Sequence, residues 1–175
     1  MKLELLEDLY TQALAELQDG EKQLLKLIPK MAKAVSTEEL RTLFQQHTEE
    51  TKNQARRLEE LLGRRAKGKP KKAKAMTGLL AEAKELLSQE EMDPQLLDAA
   101  LTAASQKVEA FEITCYACAH NYARLLGFHE DLKPLEESFH EEEKMEEKLS
   151  AISESLAMEE LESETEGEPV QARNE

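Results

Sequence analysis

The sequence predicts an all-α chain: four long amphipathic helices packed as two antiparallel pairs, with a long crossover between the pairs. Three observations carry this. Apolar residues recur at helical spacing over four stretches of three to nine turns. With five prolines, six glycines, no tryptophan and 4% aromatics, the 175 residues read as Leu/Ala-rich helices rather than a β-sandwich. Short turn signals join the first stretch to the second and the third to the fourth, whereas residues 64–93 separate the second from the third. The length fits one domain at 1–157 with an acidic, disordered tail at 158–175.

The first helix is expected over about residues 2–35, with Leu6, Tyr10, Leu14, Leu17, Leu24, Ile28 and Val35 as its apolar stripe and a kink at Pro29. "STEE" supplies a capping box, Ser36 as N-cap and Glu39 three positions on, and opens a second helix that Gly63 closes. The crossover begins basic and loose and then forms a short amphipathic helix, "AMTGLLAEAKELL". Asp93 and Pro94 start the third helix, as N-cap and first helical residue, and Gly127 ends it. A fourth runs from near Asp131, with Pro134 tolerated early, to about Ala157. One crossover long enough to travel the bundle's length is the connectivity of ferritin-like bundles.

Polar residues sit where core residues belong. At about 100° per residue, Glu21 is centred on the first stripe, and His47 is central among Leu40, Leu43, Phe44 and Leu58 of the second. Glu50 lies about 60° to one side, Glu112 is centred on the third stripe with Glu109 flanking it, and Glu142 and Glu146 line up with Leu135, Phe139 and Leu149 on the fourth. Glu16, Glu49 and His140 point outward, and His120 and His129 read as surface or helix-end residues. Depth is an independent check. At 1.5 Å per residue Glu21 lies about 21 Å before the first turn, and His47 and Glu50 about 15–20 Å after it. Glu112, Glu142 and Glu146 match across the second turn in the same way. A lone inward Glu or His is usually a satisfied core group, but several buried carboxylates repel one another unless a cation joins them. An oxygen-rich set with imidazole suits iron or manganese, so a dinuclear site is expected on Glu21, His47, Glu50, Glu112, Glu142 and Glu146. Tyr116 and Gln54, one turn from Glu112 and Glu50, could hydrogen-bond a ligand or fill the core.

The net charge of −14 is uneven. Residues 128–168 hold sixteen acidic residues against three lysines, whereas "RRAKGKPKKAK", residues 64–74, holds seven basic residues and no acid. That run contains no aromatic and is expected to be a solvated linker rather than a nucleic-acid contact. Cys115 and Cys118 form "CYAC" in a helical pattern, without the strand-to-helix setting of a redox motif, and are expected to be reduced and partly buried. No apolar run reaches membrane-span length, and the opening residues do not look like a secretory signal; a soluble cytoplasmic protein is expected.

The segments "ELQDGEKQLLKLIPKMAKA", "HTEETKNQARRLEELL", "AMTGLLAEAKELL", "KVEAFEITCYACA" and "LEESFHEEEKMEEKL" together resemble the YciE/YciF-type ferritin-like stress proteins, in order, over about residues 5–156. The resemblance implies a stress-associated bacterial protein and the same six inward ligands, and brings no settled reaction. Ala110, Glu146 and Gly20 depart from the family's pattern. Helix two reads HxxE where ferritin-like bundles have ExxH, and helix four has no inward histidine. Two functions follow as expectations. The first is a metal-binding bundle with oxygen or peroxide as its candidate oxidant and no reaction assigned. The second is a non-enzymatic protective bundle using its acidic surface or basic crossover. A homodimer is expected on general frequency and on the resemblance.

Overall fold

The computed structural model describes residues 5–65 and 71–167, with the side chains of 159–167 left aside. Its helices are α1 (Leu6–Leu24), α2 (Ile28–Ala34), α3 (Glu38–Gly63), α4 (Lys74–Leu87), α5 (Pro94–Leu125) and α6 (His129–Gly167). Among the described residues there is no strand, and no helix is long and apolar enough to cross a membrane. α1 packs on α3 and α5, and α6 packs on the same two, so four long helices form a closed ring of neighbours. This is the expected ferritin-like four-helix bundle. α4, the short helix of the crossover, lies outside the ring against α5 and α1.

The expected single kinked helix at 2–35 is two helices. Proline at 29 lacks the N–H that would bond the Leu25 carbonyl, and its ring crowds that carbonyl. The chain therefore breaks into a turn, with Leu27 N–H bonded to the Leu24 carbonyl, and Pro29 opens α2, where a proline costs nothing. The expected capping box at Ser36 does not form. Thr37 is the N-cap of α3 and makes no side-chain cap bond. Instead the buried Asp98 carboxylate of α5 accepts from Ser36 N–H (2.8 Å), Ser36 Oγ (2.9 Å) and Thr37 N–H (2.9 Å). Asp93 caps α5 as expected, its side chain accepting from Gln95 and Leu96 N–H. Gly63 is the last residue of α3, and Gly127 follows α5 with φ +73°. α6 starts at His129 and continues past the expected end through residues 158–167, where five of the ten residues are Glu, which favours helix even without an apolar stripe. The rest of the expected tail, 168–175, lies outside the described residues, as do 66–70 of the basic run.

The core is divided. One apolar cluster gathers Leu24 and Ile28, Leu40 and Phe44, Leu101 and Val108, and Met145 and Leu149. The other gathers Tyr10, Leu14 and Leu17, Leu58 and Leu61, Tyr116 and Ala119, and Leu135. α1 and α6 run from the second cluster to the first, and α3 and α5 run the opposite way, so every neighbouring pair in the ring is antiparallel. α3 ends at the second cluster and α5 starts at the first, which is why the crossover must span the bundle. Between the clusters each of the four helices contributes polar side chains at one level.

Candidate metal centre

On α1, Glu21 falls between Leu17 and Leu24; on α3, His47, Thr51 and Gln54 fall between Phe44 and Leu58. On α5, Glu109 and Glu112 fall between Val108 and Tyr116; on α6, Glu142 falls between Leu135 and Met145. All seven side chains are buried, and Glu21, Thr51, Gln54 and Glu142 have no exposed surface. The helical period dictates this placement. Three or four residues past one apolar anchor, the next inward position is occupied by Glu or His instead of Leu.

One ligand atom from each of His47, Glu109, Glu112 and Glu142 lies within 4.8 Å of the others, so the group could hold a metal ion. His47 Nε2 stands 3.4 Å from Glu109 Oε1, near enough for charge pairing but without the alignment of a hydrogen bond. Among the described residues, neither ring nitrogen of His47 has a hydrogen-bond partner, nor does either oxygen of Glu112 or Glu142, Glu109 Oε2 or Glu21 Oε2. Unpaired polar atoms at this density are costly in a dry interior. The donor set, carboxylate oxygens with one imidazole, fits a divalent first-row metal.

The structure thus brings together three of the six expected ligands, His47, Glu112 and Glu142, with Glu109, which the sequence placed only on the flank. Glu21 is buried beside them and takes a short hydrogen bond on Oε1 from the Tyr116 hydroxyl, so Tyr116 orients a candidate ligand, one of the two roles open to it. Glu50 lies at the rim, its side chain 39% exposed and 3.9 Å from His47 Nδ1. Glu146 is half-buried, and its Oε1 accepts from Ser150 Oγ (2.8 Å) and Gln106 Nε2 (3.4 Å). Gln54 donates to Glu141 (3.1 Å), and Arg57 grips the same carboxylate with two nitrogens at 2.6 and 2.8 Å. That Arg57–Glu141 fork was not foreseen. The i,i+3 spacing of Gln54 and Arg57 was its available signal. His140 is exposed and pairs with Glu143 on the outer face, as expected.

Burial sets the protonation pattern. Loss of solvation pushes Glu21 up to about 7, against the pull of the Tyr116 hydrogen bond and of His47. It pushes Glu109 up to about 8, with the anions of Glu21, Glu50 and Glu146 adding to the rise. Glu112 and Glu142 are driven well above the ordinary carboxylate range, first by burial and then by their acidic neighbours. Burial works to lower His47, but Glu50, Glu142 and Glu21 overcome it and hold the ring above its usual value. Glu50 is lowered by the same ring. Without a cation, burial first and mutual repulsion second favour the protonated form of the four buried carboxyls.

Fold and site together define a class: a ferritin-like helical bundle whose core is interrupted by a Glu/His layer that could hold a metal ion. The sequence matches the family model described as "Domain of unknown function (DUF892)" over residues 5–162, and the chain belongs to that family. It is 36% identical over 155 residues to Protein YciF of Escherichia coli (strain K12), covering 87% of this chain and 93% of that protein. The crystal structure of the E. coli stress protein YciF superposes with a TM-score of 0.82 at 34% identity, covering 89% of this chain and 98% of that one. YcfI from Rhodopseudomonas palustris superposes with a TM-score of 0.80 at 31% identity, covering 85% and 95% respectively. The resemblance seen in the sequence is therefore real, and it extends over nearly the whole bundle.

Proposed function

We propose that this protein binds iron or manganese as a carboxylate-linked pair in the polar layer and acts there on oxygen or peroxide, in the stress setting named for YciF. One observation carries the reading: all four helices switch from apolar to Glu/His at the same level, and most of the ligand atoms they deliver there have no hydrogen-bond partner among the described residues. His47, Glu109, Glu112 and Glu142 would hold the metal, with Glu21 buried beside them and Glu50 and Glu146 at the edge. Bound iron or manganese would supply Lewis acidity and one-electron chemistry at a site walled from bulk water by the two apolar clusters. Tyr116 orients Glu21 and holds a proton at its hydroxyl, and the Arg57–Glu141 fork fixes Gln54 against the layer.

The test is metal analysis of protein reconstituted aerobically with Fe(II) or Mn(II) and then desalted. About two ions per chain are expected; no retained iron or manganese would overturn the reading. A His47→Ala, Glu112→Ala double variant that still retained both ions would refute the ligand assignment while leaving metal binding intact.

A further inference from the structure

A cavity of about 440 Å³ lies between α1 and α5 beneath the end of the crossover. That volume is within the range of small-molecule sites, about 300–1,000 Å³. Its walls are mostly apolar, with Leu9, Ala13 and Leu17 from α1, Phe111 and Tyr122 from α5, and Met76 from α4, and Gln12, Thr114, Cys115 and Cys118 are the polar exceptions away from the lysines. Gly20 and Glu112 also line it, but both Glu112 carboxylate oxygens are buried. Its mouth carries Lys71, Lys72 and Lys74.

The mouth is anchored in place. Ala73, between the lysines, donates its N–H to Asp19 Oδ2 (2.8 Å) and accepts at its carbonyl from Gln23 Nε2 (3.4 Å). Thr77 Oγ1 donates to Gln23 Oε1 (2.8 Å). Lys71 pairs with Glu16 at 2.5 Å, whereas Lys72 and Lys74 have no ion-pair partner among the described residues. A chain of net charge −14 thus places two lysines without an ion-pair partner among the described residues at the entrance of a mostly apolar cavity. Charge at the mouth selects an anion, and the walls select an apolar body.

We propose that the cavity binds an amphipathic carboxylate, of the medium-chain fatty-acid type, with its head at Lys72 and Lys74 and its apolar body along Leu9, Ala13, Leu17 and Phe111. The proposal stands on the cavity alone and is independent of the metal reading above.

The experiment is calorimetric titration of the full chain with decanoate, and with decylamine as the cationic counterpart, on metal-free and metal-loaded samples whose metal content is measured. One decanoate per chain is expected in the metal-free protein, with decylamine at least tenfold weaker. Lys72→Glu, Lys74→Glu should weaken decanoate at least tenfold. Ala13→Trp, which fills the cavity, should abolish binding and leave the metal content of reconstituted protein unchanged. The proposal is overturned if decanoate does not bind, or if both variants bind it as the wild type does. Metal retained without decanoate binding removes this proposal alone; decanoate bound by protein that retains no iron or manganese after reconstitution removes the metal reading alone.

Discussion

Asp98 shows how a residue with no local signature can hold two elements together. Its carboxylate, fully buried on α5, satisfies two backbone N–H groups and one hydroxyl at the start of α3. The N-terminal N–H groups of a helix need partners, and the sequence offered Ser36 as the provider. The actual acceptor lies 62 residues away from Ser36, beyond the reach of any spacing rule. Asp98→Ala should destabilise the fold by about 3 kcal/mol, because it strands three donors at once. The check is a urea midpoint that falls while the slope of the transition stays constant. The same limit explains the candidate site. Glu109 and Glu50 each sit about 60° from the centre of their stripe, yet one is buried and the other half exposed. α5 is flanked by α1, α4 and α6, which widens its buried arc, and the angle within one helix carries no information about its neighbours. The cysteines differ in a similar way: both are free, with Cys115 half-buried and Cys118 exposed. Burial lifts the Cys115 thiol to about 11, so at pH 8 about one in a thousand is thiolate. Native protein treated with iodoacetamide should therefore be modified at Cys118 first, with Cys115 at least tenfold slower by peptide mass spectrometry.

At the scale of elements, the sequence was most informative where chain chemistry forbids alternatives. Pro94 after Asp93 marked the start of α5, and Gly127 marked its end. Gly127 N–H bonds the Arg124 carbonyl and Phe128 N–H bonds the Ala123 carbonyl, a closure that requires the left-handed φ of +73°. Gly127→Ala puts a Cβ into that conformation. It should cost about 1–2 kcal/mol, seen as a melting temperature lower by several degrees; an unchanged melt would mean that the turn relaxes without penalty. Pro29 was legible as an interruption but not in form, because a kink and a break share the same missing hydrogen bond. Burial of Leu27 and Ile28 in the core decides for the break. The far end of α6 was illegible for the opposite reason. Residues 158–167 lack an apolar stripe, but helix propensity alone extends a helix already nucleated by a packed segment.

For the whole molecule, a core cut by a polar layer makes stability depend on what neutralises that layer. In the metal-free protein, protons do so. Glu21 near 7, Glu109 near 8, and Glu112 and Glu142 well above the ordinary range hold protons that the unfolded chain has released above pH about 4.5. The folded state therefore binds more protons than the unfolded one across that window, and its stability falls as pH rises, by about 1.4 kcal/mol per pH unit for each proton held. His47, raised by its acidic neighbours, acts in the same direction: its contribution is complete below about 6.5 and is lost as pH rises through its folded value. Glu109→Gln removes one such proton. Between pH 5 and 7.5 the metal-free variant should show a shallower fall in unfolding free energy than the wild type, by about one proton's slope. Parallel curves would mean that Glu109 is ionised in the fold. Metal reverses the sign. A cation displaces the protons and binds the folded state more tightly as the carboxyls deprotonate, so its stabilisation grows with pH. Urea unfolding of Mn(II)-loaded wild type should lie above the metal-free curve by a gap that widens from pH 5 to 7.5 and closes on chelation. A gap that is constant with pH would show metal bound to surface carboxylates, which carry no protons to displace, and would place the ion outside the layer.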